Sequence, residues 1–229
     1  SSISSYKIDS EILMSQTLEI SREELILNLE KKVNLKEKEK YYNFINRRKK
    51  NEPIAYIISN KSFWRDKFLI DKNVLIPRPD SEHLVEQTLK LIKKKQTKKI
   101  LDIGVGSGCL TISILKERPY CKCDAIDVSK KALKLAKMNA NLHQLADRIK
   151  FYKSDVDNFC NDKYDLIISN PPYIKKHKIK YLGVINFEPK IALDGGLDGL
   201  EVIRKVISKS KYLLKLNGKL ILEIGSDQR

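Results

Sequence analysis

The sequence predicts an α/β protein with a doubly wound, mostly parallel sheet, preceded by a small helical bundle and a β-hairpin. Three observations support this fold class. Short apolar segments typical of buried strands alternate with helical segments, as a parallel sheet requires. A glycine cluster directly follows the first of these strands. Acidic and amide residues end the later strands, and the carboxyl ends of parallel strands meet at one edge, so the pattern also predicts a binding crevice there.

The N-terminal part, residues 1–58, is predicted to form a helical domain. It contains no glycine and a single proline, and its pattern is helical. Ser21 with Glu24, and Asn34 with Glu37, each have the spacing of a capping box at a helix start. A helical segment of this size holds only a small core, so it is expected to be an accessory module to the larger domain.

A β-hairpin is predicted to link the helical domain to the rest of the chain. This linker spans residues 59–77, because residues 61–76 alternate apolar and polar side chains around Arg65 and Asp66. The α/β domain then covers residues 78–229 and opens with a helix from Asp80. Its five predicted strands are residues 99–103, 121–127, 148–153, 165–169 and 219–224.

The glycine cluster and two aspartates predict a nucleotide-type site. Gly104, Gly106 and Gly108 follow the strand at residues 99–103 and precede a helical run, which is how a βαβ unit brings backbone close to a ligand. Such a cluster also occurs in ordinary tight turns. Asp127 ends the next strand about 20 residues later, where an acidic group can accept from ribose hydroxyls, and Asp155 closes the strand after that.

A second site pattern follows the strand at residues 165–169, in the tetrapeptide Asn170-Pro171-Pro172-Tyr173. The two prolines fix φ and remove two backbone donors, which leaves neighbouring carbonyls free to accept. The Asn170 side chain adds one acceptor and two donors, and Tyr173 adds a flat ring. This set suits a planar –NH2 group. An amide or exocyclic amine nitrogen is a weak nucleophile, so the pattern predicts a strong electrophile beside it.

The order of the glycine loop, Asp127 and the tetrapeptide resembles the class I S-adenosylmethionine-dependent methyltransferases that modify planar nitrogens. The sequence is similar in particular to the release-factor glutamine methyltransferases. Those enzymes methylate the side-chain amide of the Gly-Gly-Gln loop in peptide-chain release factors. The closer similarity rests on further segments along the chain, which are residues 47–48, 52–57, 63–64, 75–82, 187–189, 192–196, 198–200 and 222–225.

The resemblance implies the Rossmann-like fold of class I methyltransferases, S-adenosyl-L-methionine as the methyl donor and a release factor as the protein substrate. It implies catalytic roles for Asn170, Pro171 and Tyr173, and substrate contacts from these residues and Pro172. It also implies a set of donor-binding residues. These are Gly104, Val105, Gly106, Ser107, Gly108, Asp127, Asp155, Val156 and Asn170. Val105 stands where the family usually has threonine. No metal site is expected. Family members begin about one helix earlier and continue past the strand at 219–224, so the resemblance also implies a chain truncated at both ends.

Three residues near the predicted crevice leave alternatives open. Arg78 lies between two prolines and is therefore rigidly placed. It either holds the entrance near the methyl donor or pairs with Glu223 or Asp80. Phe63 and Trp64 either line a substrate groove or pack the hairpin against the sheet.

Composition bounds the alternatives in function. The formal net charge of +16 is compatible with a nucleic-acid surface, which keeps an adenine or guanine amine methyltransferase as the alternative. The lysines are scattered and no aromatic residues interleave with them, so direct nucleic-acid binding is not expected. No apolar stretch reaches the ~18 residues of a membrane span. The four cysteines lack zinc-like spacing and are expected to be buried free thiols, which together with the family resemblance predicts a cytoplasmic monomer. A non-catalytic binding protein of the same fold is the third possibility.

Overall fold

The structure is a computed structural model, and it describes residues 5–183 and 186–228. It divides into two compact units, Ser1–Ser59 and Asn60–Arg229. The hairpin lies in the second unit rather than between the two. The three-part division at residues 58 and 77 stays a proposal. Among the described residues, no helix combines the length and the apolar character that crossing a bilayer requires.

The first unit is helical. Its helices are α1 (Tyr6–Leu18), α2 (Arg22–Leu27), α3 (Leu35–Lys49) and α4 (Ile54–Ile57). The capping box predicted at Asn34 and Glu37 is present in both directions, with Asn34 Oδ1 accepting from Glu37 N and Glu37 Oε2 accepting from Asn34 N. Ser21 accepts from Glu24 N at the start of α2. An ion pair of 2.7 Å between Arg48 and Asp9 joins α3 to α1.

The hairpin is shorter than predicted. Strands β1 (Asn60–Phe63) and β2 (Asp66–Leu69) pair antiparallel across a two-residue turn at Trp64 and Arg65. Pairing stops after Leu69 because Asp71 folds the chain into a turn, accepting from Asn73 N through Oδ1 at 2.8 Å. Residues 70–77 then run as an irregular segment.

The two hairpin aromatics pack within the second unit. Phe63 is 1% exposed and meets Phe68 edge to face at 6.3 Å between ring centroids. Trp64 donates through Nε1 to Glu117 at 3.2 Å and through its backbone nitrogen to Glu82 Oε1 at 2.8 Å. Of the two alternatives for these residues, the contacts favour packing against the α/β domain.

The second unit contains the predicted doubly wound parallel sheet, so the fold class is confirmed. Its strands are β3 (Lys99–Ile103), β4 (Lys122–Asp127), β5 (Ile149–Lys153), β6 (Tyr164–Ser169) and β7 (Leu214–Leu222). They lie in the order β5-β4-β3-β6-β7 with every neighbouring pair parallel. The last strand begins five residues earlier than the predicted 219–224 and has a register irregularity near Leu214. It forms one edge of the sheet.

Helices cover both faces of the sheet. They are α5 (Glu82–Leu91), α6 (Cys109–Glu117), α7 (Lys130–Leu142), the short α8 (Lys176–Ile179) and α9 (Glu201–Leu213). The helix predicted from Asp80 opens with a 3-10 turn at Pro79–Ser81 and becomes α-helical at Glu82. Leu101 packs in one core with Val206 of α9, whereas Asp102, which points to the opposite face, accepts from Thr111 of α6.

The thiols of Cys109, Cys121 and Cys123 are buried as expected, and Cys160 is exposed, contrary to the expectation. Burial raises the pKa of the Cys109 thiol to about 12, so it stays protonated at neutral pH. The buried cysteines are therefore small apolar core residues in chemical terms.

Candidate active site

The candidate site lies where the chain order of the sheet reverses. β3 has β4 on one side and β6 on the other, so the loops after β3 and β6 diverge and leave a crevice at their carboxyl ends. Ile103 is the register partner of Ser169, which brings the glycine loop and the tetrapeptide to opposite walls of that crevice. A cleft of about 250 Å³ occupies this position.

The cleft collects segments that are far apart in sequence. Its walls include the glycine loop, the ends of β4 and β6, the irregular segment after the hairpin and the 3-10 turn Lys190–Ala192. The predicted site residues on its wall are Gly104, Val105, Gly106, Ser107, Asp127, Asp155, Val156, Asn170, Pro171 and Pro172. Two predicted residues, Gly108 and Tyr173, are not among the described residues of the wall.

The glycine loop is built for backbone approach. Gly104, Gly106 and Gly108 have φ of +80°, +54° and +83°, a region that side-chain-bearing residues rarely adopt. An added Cβ at Gly104 would have no atom within 4 Å, so this backbone faces open space. The loop is also fixed from behind, since the Asn139 amide of α7 donates to the Ser107 carbonyl at 2.8 Å.

Asp127 stands at the end of β4 with its carboxylate held in place. Oδ2 accepts from Gly106 N at 3.0 Å, and Oδ1 accepts from Ser129 N at 2.8 Å. Each carboxylate oxygen keeps a further lone pair for an incoming hydroxyl. Burial raises the pKa of Asp127, and the backbone donors from Ser129 and Gly106 oppose that rise by stabilising the charged form.

Asp155 and Val156 form the next part of the wall. Asp155 caps a short 3-10 turn by accepting from Asp157 N at 3.0 Å through Oδ1. Val156 is 6% exposed and packs in the same core as Ile103 and Ile126. The pair therefore offers a carboxylate beside an apolar surface, which suits the edge and face of a purine ring.

A buried carboxylate lies directly beneath the glycine loop. Asp102 is 1% exposed, and its Oδ2 accepts from Thr111 Oγ1 at 2.5 Å. Its Oδ1 has no partner among the described residues. Desolvation raises the pKa of Asp102 to about 7, with the nearby Asp127 charge adding to the rise. This strand therefore holds a buried carboxyl group that keeps its proton to a higher pH than an exposed aspartate does.

The tetrapeptide forms the opposite wall. Asn170 donates through Nδ2 to Ser81 Oγ at 3.0 Å, and Ser81 Oγ donates to Glu223 Oε2 at 2.6 Å. Tyr173 turns its hydroxyl to the same carboxylate, with 3.3 Å between the hydroxyl oxygen and Glu223 Oε1. Contact between the Tyr173 ring and a substrate amide stays a prediction.

A glycine-rich loop supports Tyr173 from below. Ile174 N donates to Leu193 O, and Gly195 N donates to Ile174 O. The loop is therefore hydrogen-bonded to the residue that directly follows the tetrapeptide. A Cβ at Gly195 would lie 2.8 Å from Tyr173 Cα and 2.7 Å from Gly199 O. Only glycine fits there, which gives the segments at 192–196 and 198–200 a positioning role.

The expected partners of Arg78 are corrected. Its Nη2 pairs with Glu188 Oε2 at 2.5 Å, not with Glu223 or Asp80. The Glu188 side chain is 0% exposed and also accepts from Ile76 N at 3.2 Å. The pair connects the segment before α5 to the segment that contains Glu188. Arg78 lies on the cleft wall, so this connection helps to hold the wall in place. The expectation that Arg78 stands at the cleft agrees with this position.

Four side chains organise the site without having been assigned the roles they have there, which are Ser81, Asn139, Glu188 and Glu223; of these, Glu223 was considered only as a partner of Arg78. Ser81, Glu188 and Glu223 lie in segments on which the family resemblance rests. The resemblance pointed to these positions but did not say what the side chains do. Asn139 had no such mark: it is a polar residue at a buried helical position, which was a usable signal because buried amides need partners.

The wall fits an S-adenosyl donor. Positive-φ glycines open the backbone to the cleft, Asp127 offers acceptors to ribose hydroxyls, and Asp155 with Val156 offers the edge and face for an adenine ring. No group of His, Cys, Asp or Glu residues with metal-binding proximity occurs in the part of the chain that the structure describes.

Fold and site together define a class I methyltransferase. Two family models match the chain, the PrmC N-terminal domain at residues 1–58 and the methyltransferase small domain at residues 81–187. The ribosomal protein L11 methylase of Lactobacillus delbrueckii subsp. bulgaricus has a similar fold, with a TM-score of 0.51 at 19% identity over 73% of each chain.

Curated relatives narrow the class to a family. The release factor glutamine methyltransferase of Clostridium acetobutylicum is 40% identical over 97% of this chain and 80% of that protein. The release factor glutamine methyltransferase of Coxiella burnetii is 37% identical with the same coverage. A bifunctional methyltransferase of Rickettsia bellii is 36% identical over 99% of this chain, which spans 46% of that protein. The chain belongs to the release factor glutamine methyltransferase family, as the sequence resemblance predicted.

Proposed function

We propose that this protein transfers a methyl group from S-adenosyl-L-methionine to the side-chain amide nitrogen of the glutamine in the Gly-Gly-Gln loop of a peptide-chain release factor. One observation carries the proposal. The glycine loop after β3 and the tetrapeptide after β6 face each other across one cleft at the reversal point of the sheet. A methyl donor bound to the first loop would therefore lie in the same cleft as a planar nitrogen bound to the tetrapeptide.

The donor is held by the residues of the first wall. Backbone groups of Gly104 and Gly106 approach its amino-acid part, and Asp127 accepts from its ribose hydroxyls. Asp155 and Val156 take the adenine. When bound, the donor supplies an electrophilic methyl group whose carbon–sulfur bond breaks as the new carbon–nitrogen bond forms.

The substrate amide is held by the second wall. The Asn170 side-chain oxygen and the Pro171 carbonyl accept from the two hydrogens of the glutamine –NH2. This fixes the nitrogen in the orientation for in-line attack, and orientation of this kind contributes on the order of 7–11 kcal/mol in well-aligned systems. No strong base is needed before transfer, because the surplus proton leaves the nitrogen for water after the bond has formed.

One experiment tests the proposal against its alternatives. Labelled S-adenosylmethionine is offered together with a release factor, the same factor with its loop glutamine replaced by asparagine, and DNA or RNA. Label in the intact release factor and in neither other sample is the expected result. Label in the nucleic acid would instead support methylation of an adenine or guanine amine. No label in any sample would support a non-catalytic binding protein.

The proposal extends to partner and location. The helical first unit is a candidate docking module for the release factor, and the basic composition favours an acidic protein partner. We propose that the protein acts as a monomer in the cytoplasm, where release factors act.

A further inference from the structure

Glu223 closes a hydrogen-bond chain that reaches the cleft through two other side chains. It follows β7, and its backbone nitrogen donates to Ser169 O, the residue before Asn170. Its carboxylate receives Ser81 Oγ at 2.6 Å and the Tyr173 hydroxyl at 3.3 Å. Ser81 in turn accepts from Asn170 Nδ2 at 3.0 Å. Glu223 therefore lies behind the tetrapeptide, where it bonds directly to Tyr173 and reaches Asn170 through Ser81.

The direction of each bond in this chain follows from the chemistry of the carboxylate. An ionised carboxylate only accepts, so the single hydroxyl hydrogen of Ser81 must point at Glu223. The Ser81 oxygen then offers only lone pairs to Asn170, and only the –NH2 end of the Asn170 amide can use them. The contact with Ser81 therefore selects one orientation of the Asn170 amide.

We propose that Glu223 is a positioning residue that fixes the orientation of the Asn170 amide, so that its oxygen and not its –NH2 group faces the nitrogen to be methylated. This inference rests on the proposed function. With the amide reversed, an –NH2 group would face the substrate –NH2, donor would oppose donor, and the substrate would lose one of its two acceptors.

The charge state of Glu223 supports the same account. Burial raises the pKa of Glu223, while donors from Ser81, Tyr173 and Asn170 oppose the rise. The negative charge of Asp80 adds to it. A protonated Glu223 can donate to Ser81 and thereby release the constraint on Asn170.

The other titrating neighbour of Glu223 is Tyr173. Its hydroxyl pKa is raised by burial first and by the Glu223 charge second, while Arg78 lowers it. Tyr173 therefore stays a neutral donor across the range in which Glu223 ionises. Activity should fall as pH drops through the raised pKa of Glu223.

The test uses Glu223→Gln, which keeps size but can donate as well as accept, so it no longer dictates the Ser81 hydroxyl. We expect kcat on the release factor to fall about ten- to hundredfold, the range for losing a charge-assisted hydrogen bond. Affinity for S-adenosylhomocysteine and the KM for the release factor should remain near wild type. The acid limb of the wild-type pH profile should disappear. Glu86→Gln on the exposed surface of α5 is the matched control and should leave all four quantities unchanged.

Ser81→Ala is the second variant. It removes the relay through which Glu223 reaches Asn170, so its kcat should fall by about as much as that of Glu223→Gln. Wild-type kcat and an unchanged acid limb in Glu223→Gln would overturn the positioning role. The role would also be overturned if Glu223→Gln lowered both kcat and Tm but kept the acid limb of the pH profile. That result would indicate that Glu223 only stabilises the fold.

A substrate-free readout separates this inference from the proposed function. The Asn170 side-chain amide is followed by NMR in protein labelled with ¹⁵N-asparagine and assigned by its loss in Asn170→Ala. Its resonances should shift in Glu223→Gln and stay in place in Glu86→Gln. If the wild-type protein leaves release factor unmethylated while the resonances shift, the proposed function fails and the positioning role stands. Resonances that do not move refute the positioning role whatever the substrate.

Discussion

The ion pair between Arg78 and Glu188 is expected to stabilise the cleft more than any exposed pair does. The perturbation is Arg78→Met, which keeps the aliphatic stem and removes the guanidinium. Glu188 would then retain Ile76 N as a donor, but its fully buried carboxylate would lose its charge partner. Breaking a buried pair on one side costs about 3–5 kcal/mol. Because the Arg78 side chain is 36% exposed, solvent moderates the effect, and we expect about 2–3 kcal/mol.

The assay is urea unfolding, together with thermal unfolding of the same proteins. A loss of about 2–3 kcal/mol corresponds to roughly 4–12 °C in Tm for a domain of this size. The matched control is Arg204→Met. Arg204 also pairs at close range, 2.6 Å from Asp198, but both side chains are about half exposed or more, and such pairs contribute about 0–1 kcal/mol.

A double substitution separates charge from packing. Arg78→Met with Glu188→Met replaces the pair by apolar side chains of similar length, which removes the unpaired buried charge and should recover part of the lost stability. The reasoning is refuted if Arg78→Met costs no more than Arg204→Met, because burial would then have no effect on the value of the pair.

Two further substitutions probe the floor of the cleft. Gly106→Ala forces a side chain into φ +54°, which costs roughly 1–2 kcal/mol of strain in the loop, so S-adenosylhomocysteine binding measured by calorimetry should weaken. Gly183→Ala, at a glycine without positive φ, should bind normally, and equal affinity of the two variants would contradict the role of the loop. Asp102→Asn tests a buried charge. The folded-state pKa of about 7 lies above the ordinary aspartate value of 3.8, so this group's stabilising contribution is present below pH 3.8 and is lost as pH rises through about 7. Wild-type stability relative to Asp102→Asn should therefore fall by about 4 kcal/mol between pH 4 and pH 8 in urea unfolding. Parallel pH curves for the two proteins would contradict this, because they would show that folding leaves the pKa of Asp102 unchanged.

The fold was largely predictable because its signals are local. Each strand is an apolar segment bounded by polar residues, and the strand, glycine turn and helix around Gly104 specify a parallel βαβ unit. The hairpin's end was not predictable from alternation alone. The prediction extended the hairpin to residue 76, whereas pairing stops after Leu69 because Asp71 forms a turn of its own. Edge strand β7 was misplaced for a similar reason, since its first residues pair across a register irregularity.

The residues that face the cleft were predictable from the sequence, whereas the residues that hold them in place were not. The tetrapeptide and Asp127 carry their chemistry in their own residue types. The partners of Arg78 were mispredicted because Glu188 lies 110 residues away, and no local pattern couples the two. The Ser81–Glu223 bond spans 142 residues and is a product of the sheet order, which places the end of β7 beside the end of β6.

The central claim is that one cleft presents a substrate amide to a methyl donor, with Asn170 as the acceptor that orients the amide. It is tested most directly by single-turnover methyl transfer to release factor with wild-type protein and with Asn170→Ala. S-adenosylhomocysteine binding is measured on the same two samples. We expect the transfer rate to fall on the order of a hundredfold or more, as when one positioned hydrogen-bonding group is removed from an active site. Donor binding should largely survive. A transfer rate equal to wild type in Asn170→Ala would contradict the account.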